Sequence, residues 1–248
     1  MNTPSQFEKS ALFKLFCEGL SIVKSGGLRL TRPGHRLLLF IATFLPSILI
    51  LVIVIFQPWV EPKWLFFDSL AAAELSDDCC HIYYGLVSNL GIFLWVGTAA
   101  IALFSFAILW ARTKPNPHFL FVTLAGLLSG LLALDDAFLL HEVAFPELGV
   151  PQNIVLFVYL ILAIAYGLAS WRTFLKSEIW LLAIAAIFLA VSLLVDQVYH
   201  SIDDMIVIIE DSAKFLGLSA WFSFHTLTIG LILVQDDPLM AEIETAIP

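Results

Sequence analysis

With 60 % of its 248 residues apolar and a mean hydropathy of +0.94, this chain is too hydrophobic for a soluble domain, in which the apolar share runs about 45–50 %. A net charge of −9 with 12 Lys and Arg residues argues against nucleic acid as a partner. Three cysteines, two of them adjacent (Cys79 and Cys80), do not make a disulfide framework.

Residues 1–35 read as a cytoplasmic N-terminal segment. Over 5–24, Phe7, Leu12, Phe13, Phe16 and Leu20 interleave with Lys9, Lys14 and Lys24, the pattern of an amphipathic helix lying on an anionic membrane surface. Apolar runs of about 20 residues, enough to cross a ~30 Å hydrocarbon core, then follow at 37–57, 84–111, 118–141, 152–171, 178–199 and 206–234. The expected fold is an all-α polytopic transmembrane bundle of six spans over 36–235, with a short cytoplasmic tail at 236–248. A β-barrel would show short alternating segments instead.

Ten of the 12 basic residues fall before the first span or in the loops after the second and fourth; Lys63 and Lys214 are the exceptions. The positive-inside rule therefore places both termini in the cytoplasm. The acids do the opposite: 14 of 21 Asp and Glu residues lie on the outer side. The protein is expected in a membrane, such as a bacterial inner membrane, with a negative field facing away from the cytoplasm that attracts cations and repels anions.

Helical rise puts several of these acids at one depth. Asp135 lies about 26 Å up from His118, Asp196 about 27 Å up from Glu178, and Lys214 about 30 Å up from Gln235, with Glu210 one turn further. Ionisable groups at such depth are costly and mark a functional site by default. The run Leu134-Asp135-Asp136-Ala137-Phe138-Leu139-Leu140-His141-Glu142 is the sharpest element. Asp135 and Glu142 are seven apart and share a helix face, while Asp136 and His141 point elsewhere. Asp196 and His200 form an i,i+4 pair, as do Glu210 and Lys214, and Lys214 is expected to neutralise surplus carboxylate and lock the sixth span against the third and fifth. His225, below Trp221 on the sixth span, is the deepest titratable group, either a relay or a histidine satisfied by a neighbouring helix. The loop Asp77-Asp78-Cys79-Cys80-His81 offers further ligand types but reads mainly as acidic surface. Gly126, Ser129 and Gly130 suit close helix packing.

Asp and His from several helices near one membrane surface are similar in outline to intramembrane zinc hydrolases of the alkaline ceramidase and adiponectin receptor type. Those are seven-helix proteins with a late His-x-x-x-His pair; this chain has six spans and no such pair, so no ligand assignment carries over. On its own residues, the leading expectation is a metal-dependent membrane hydrolase acting on a lipid or other amphiphile. Asp135, His141, Asp196 and His200 would be ligands for a divalent ion (Zn, Mn or Fe). Asp136, Glu142 or Glu210 would act as general base, and Lys214 would orient the site or face a developing anion. The alternatives are a cation or proton transporter using the same acids, with His225 and Lys214 as deeper relays, and a non-catalytic subunit or assembly factor. No inverted repeat and no polar exit path toward the cytoplasm supports the transporter.

Overall fold

The computed structural model describes residues 28–29, 33–76, 81–112, 116–198 and 204–235. The predicted helix over 5–24, residues 77–80, His200, Asp203 and the tail after 235 lie outside the described residues. In chain order the elements are α1 (Pro33–Phe56), α2 (Lys63–Phe66), α3 (Ser69–Leu75), α4 (Leu86–Ala111) and α5 (Phe119–Phe138). A π-helical turn (Leu140–Ala144), α6 (Phe145–Glu147), α7 (Gln152–Lys176), α8 (Ile179–Val198) and α9 (Asp204–Gln235) complete them. Six helices, α1, α4, α5, α7, α8 and α9, are each long and apolar enough to cross a bilayer. The protein is a multi-pass integral membrane protein with an all-helical fold.

Two predicted boundaries move for physical reasons. The third span stops at Phe138 instead of reaching residue 141, because Leu139 adopts φ 49°, ψ 45° and ends the helix. The fourth span runs to Lys176 instead of ending near 171. The added stretch from Arg172 to Lys176 stays helical, with Lys176 in the last turn suiting the negative end of the helix dipole and Arg172 5.5 Å from the Trp171 ring centre.

α9 is the hub. It packs against α8, α4 and α1, and α4 in turn packs against α5, with α7 on the outside of α5. Outward-facing residues such as Leu37, Phe93, Phe104, Leu127, Phe157 and Ile187 are exposed all round the bundle. Apolar surface of that extent is a liability in water and ordinary against lipid chains. Hydrophobic burial cannot drive helix association there, so close approach and interhelical hydrogen bonds do. A Cβ on Gly126 would stand 2.9 Å from Leu103, and one on Gly217 would stand 3.1 Å from the Leu189 backbone nitrogen. Glycine is what lets α5 meet α4, and α9 meet α8, at that distance. Ser47 and Ser219 share a 2.7 Å hydrogen bond between α1 and α9, at the residue directly after Pro46 inside α1.

The two ends of the bundle differ. At the basic end, Arg36 pairs with the buried Glu178 at 3.3 Å, and Arg29 donates to the Ser177 carbonyl at 3.0 Å. At the acidic end, α2 and α3 fold over the bundle: Leu65 and Phe66 bury against Leu51, Val54, Val87 and Phe215. Lys63 reaches Glu61 at 3.0 Å and Asp204, on the first turn of α9, at 3.3 Å. This cap positions the polar residues described next.

Candidate functional site at the acidic end

The break at Leu139 creates the site's tightest feature. A leucine in the left-handed region costs about 1–2 kcal/mol, and the turn that follows returns the chain toward the helix it has just left. Asp135, only 3 % exposed, thereby accepts three hydrogen bonds. The His141 backbone N–H donates at 3.0 Å, His141 Nδ1 lies at 2.6 Å, and the Tyr159 hydroxyl donates from α7 at 2.8 Å. Both Asp135 oxygens are thus occupied, and the second imidazole nitrogen, Nε2, faces Glu142 at 3.5 Å. The expectation that Asp135 and Glu142 share a face while His141 points away is overturned. It assumed a continuous helix, and the helix is not continuous.

Burial alone would lower the His141 pKa, but the hydrogen bond and charge of Asp135, with Glu142 beside them, outweigh it and raise it. Glu142 also holds its proton to higher pH than usual, through burial first and the charge of Asp68 second. A carboxylate that fixes one imidazole nitrogen and leaves the other presented is the arrangement that prepares a histidine as base or metal ligand.

A second pair lies beside the first. Lys214 on α9 binds Asp136 on α5 at 3.0 Å, and the Trp95 indole N–H donates to the other Asp136 oxygen at 3.0 Å. The lysine thus joins the sixth span to the third, as a neutralising lock between spans would, and its closest carboxylate is Asp136 and not its i,i+4 neighbour Glu210. Asp68, in the link between α2 and α3, accepts from Ser88 at 2.5 Å and acts electrostatically on Lys214 together with Asp136 and Asp211. Ser88, Gly91, Asp211 and Lys214 line a small cavity of ≈ 10 Å³ closed by Val87, Phe215 and Leu218, about the room needed for one water.

Of the remaining predicted residues, Asp196 accepts from Gln197 at 2.8 Å on α8, and its charge acts on both Glu142 and Glu210. Seven carboxylates (Asp68, Asp135, Asp136, Glu142, Asp196, Glu210 and Asp211) thus share one end with Lys214 and His141. Among the described residues, no three His, Cys, Asp or Glu side chains converge on a common metal position. His200 lies outside those residues.

The polar stripe of α9 closes below this level. His225 is fully buried, with Nδ1 2.8 Å from the Trp221 carbonyl and Nε2 2.7 Å from the Tyr166 hydroxyl. Since a carbonyl only accepts, Nδ1 carries the proton and Tyr166 donates to Nε2. Phe121, Trp221 and Phe224 surround the ring at 5.9, 4.3 and 5.1 Å between centres. Trp221 bonds Ser129 at 3.0 Å, and Trp95 stands edge-on to Trp221 at 5.5 Å. His225 is satisfied by its own and a neighbouring helix.

Sequence reasoning did not single out Tyr159, Trp95 or Asp68. Tyr159 had a usable signal, a hydroxyl inside an apolar span that must find a partner. Asp68 had none, because the fold-over of α2 and α3 has no periodic signature.

Residues 37–228 match the family model described as a domain of unknown function, DUF8692, and the chain belongs to that family. No curated protein and no solved structure matches it.

Proposed function

We propose that this DUF8692 protein is a metal-dependent membrane hydrolase whose site faces away from the cytoplasm and acts on a lipid or other amphiphile. The observation that carries the reading is the Asp135–His141 pair. Asp135, saturated by His141 and Tyr159, serves as the orienting carboxylate, and His141 Nε2 is the atom offered to the ion. Glu142 is adjacent to that nitrogen, and Asp196 and His200 complete the ligand set from α8 and the residues after it. His141, Asp196 and His200 would hold a divalent ion there, and the chemistry it would supply is a bound water with a pKa lowered toward neutrality. Asp136 is committed to Lys214 and Trp95, and Glu142 lies against the ion-facing nitrogen of His141, which leaves Glu210 as general base. In hydrolysis the water oxygen adds to the scissile carbonyl, its proton passes to Glu210, and the same proton leaves with the departing alcohol or amine. The positive-inside distribution of Lys and Arg supports both the outward orientation and the cytoplasmic termini.

The excess of carboxylates and the one-water cavity beside Lys214 favour a second reading, a cation or proton transporter. The closed surroundings of His225 give such a path no continuation.

Metal analysis of freshly purified protein separates the readings. The hydrolase predicts about one tightly held ion per chain that His141→Ala removes, along with cleavage of long-chain fluorogenic esters or amides. Wild-type protein that holds no stoichiometric ion after exposure to Zn, Mn or Fe refutes it, and pH-driven cation flux in proteoliposomes would then establish the transporter.

A further inference from the structure

α7 carries an anomaly between its two tyrosines. Tyr159 and Tyr166 are seven residues apart, on one helix face, and both are held inward, by Asp135 and by His225. Between them every residue from 160 to 165 is exposed, more than a full turn of helix. Leu162 and Ala163 straddle the line joining the two tyrosines, so they belong to the inward face, yet Leu162 is 41 % exposed. At that level α7 stands away from the bundle. α7 rests on α5 and α8 rests on α9, and the two have little contact with each other. The result is a lateral crevice about 10 Å tall, roofed by Asp135, His141 and Tyr159 and floored by the Tyr166–His225–Trp221 cluster.

We infer that this crevice holds the hydrocarbon chain of an outer-leaflet amphiphile, one with a neutral or cationic headgroup. The inference rests on the hydrolase reading and specifies its substrate class. Leu162 and Ala163 offer no side-chain polar group, so water gains nothing by entering, and a void would forfeit dispersion contacts with its lining. In a membrane the available filler is a chain from the surrounding leaflet. The polar roof selects which chain, because a molecule seated there carries its headgroup to the Asp135–His141 level. Seven carboxylates against Lys214 and His141 at that level repel an anionic headgroup.

The test uses full-length protein in detergent and a long-chain monoalkyl glycerol ether, uncharged and without a hydrolysable bond. Native mass spectrometry counts the ether retained by wild type, Leu162→Trp and Ala163→Trp. Leu168→Trp, at a position 71 % exposed and below the floor, is the control. Wild type and control are expected to retain one ether saturably, and either crevice variant to weaken it about tenfold, a loss of ~1.4 kcal/mol, with unchanged thermal unfolding. A short-chain ether should not compete, nor should an alkyl phosphate of the same chain length compete as well as the ether. Retention that survives both crevice variants, or that falls equally in the control, overturns the inference. Because the ether is never cleaved, failure of the hydrolase reading appears separately, as absent turnover with ether binding intact.

Discussion

Asp135→Asn preserves shape and volume while removing one charge from a residue that is 3 % exposed and accepts three hydrogen bonds. The asparagine carbonyl can still take Tyr159 and the His141 backbone N–H, but its NH₂ group then meets His141 Nδ1–H, donor against donor. The imidazole must give up that proton or rotate away. Losing one charge-assisted hydrogen bond costs about 1.5–3 kcal/mol. The larger signature is in pH dependence. His141 has a raised pKa in the folded protein, so its contribution to stability is fully present below the unfolded value of about 6.5 and is lost as pH rises through the folded value. In Asp135→Asn the hydrogen bond and charge of Asp135 are gone while burial and the charge of Glu142 remain, so the folded pKa falls from its wild-type position. The variant should then gain stability, relative to wild type, as pH rises through 6.5. The assay is denaturant unfolding of metal-free protein in detergent between pH 5 and 8, paired with histidine-labelled NMR in which His141→Gln assigns the resonance. An unchanged His141 titration with a pH profile parallel to wild type would refute the claim that Asp135 holds the ring.

Other perturbations follow from the same contacts. Lys214→Met leaves Asp136 charged and buried without its cation and should destabilise by about 3–5 kcal/mol, while Lys214→Met with Asp136→Leu recovers most of it; unfolding midpoints decide, and a single variant as stable as the double refutes the pairing. His225→Phe strands the Tyr166 hydroxyl, at a cost of about 1–3 kcal/mol that Tyr166→Phe relieves in the double variant, with ester or amide turnover retained in both. Loss of turnover in a folded His225→Phe would return the deep histidine to the mechanism. Gly217→Val drives a side chain into the Leu189 backbone, and overpacking of about 1–3 kcal/mol should show as a lower melting temperature in detergent; an unchanged melt would mean α8 and α9 are not held at that spacing.

The spans were legible because runs of twenty apolar residues admit one physical solution in lipid. The gathering of Asp136, Glu142, Asp196, Glu210 and Lys214 at one end was legible because helical rise is a fixed ruler. What failed was everything beyond a helix end. The left-handed Leu139 has no sequence cue, since leucine is a strong helix former, so the rotation of His141 onto Asp135 could not be read from i,i+7 geometry. The role of Lys214 as a lock between the sixth and third spans was legible from its surplus of acidic neighbours, but its partner, Asp136, was not, because i,i+4 spacing points to Glu210 and the bridge depends on how α5 and α9 meet. Asp68 reached the cluster through a cap whose residues look like an ordinary acidic loop.

The helix at the centre of the bundle is also the last of the six to leave the ribosome. α1, α4 and α8 all dock on α9, so these three spans enter the bilayer before the surface they are shaped to meet exists. Asp136 and Lys214 are 78 positions apart in the sequence. At 5–20 residues per second, the carboxylate waits about 4–16 s for its cation. Over that interval the half-made protein resembles a client of the quality-control machinery, with a bare acid at membrane depth. Closure of the bundle is therefore committed late: α4, α5 and α7 can meet beforehand, while α1 and α8 join them only when α9 enters.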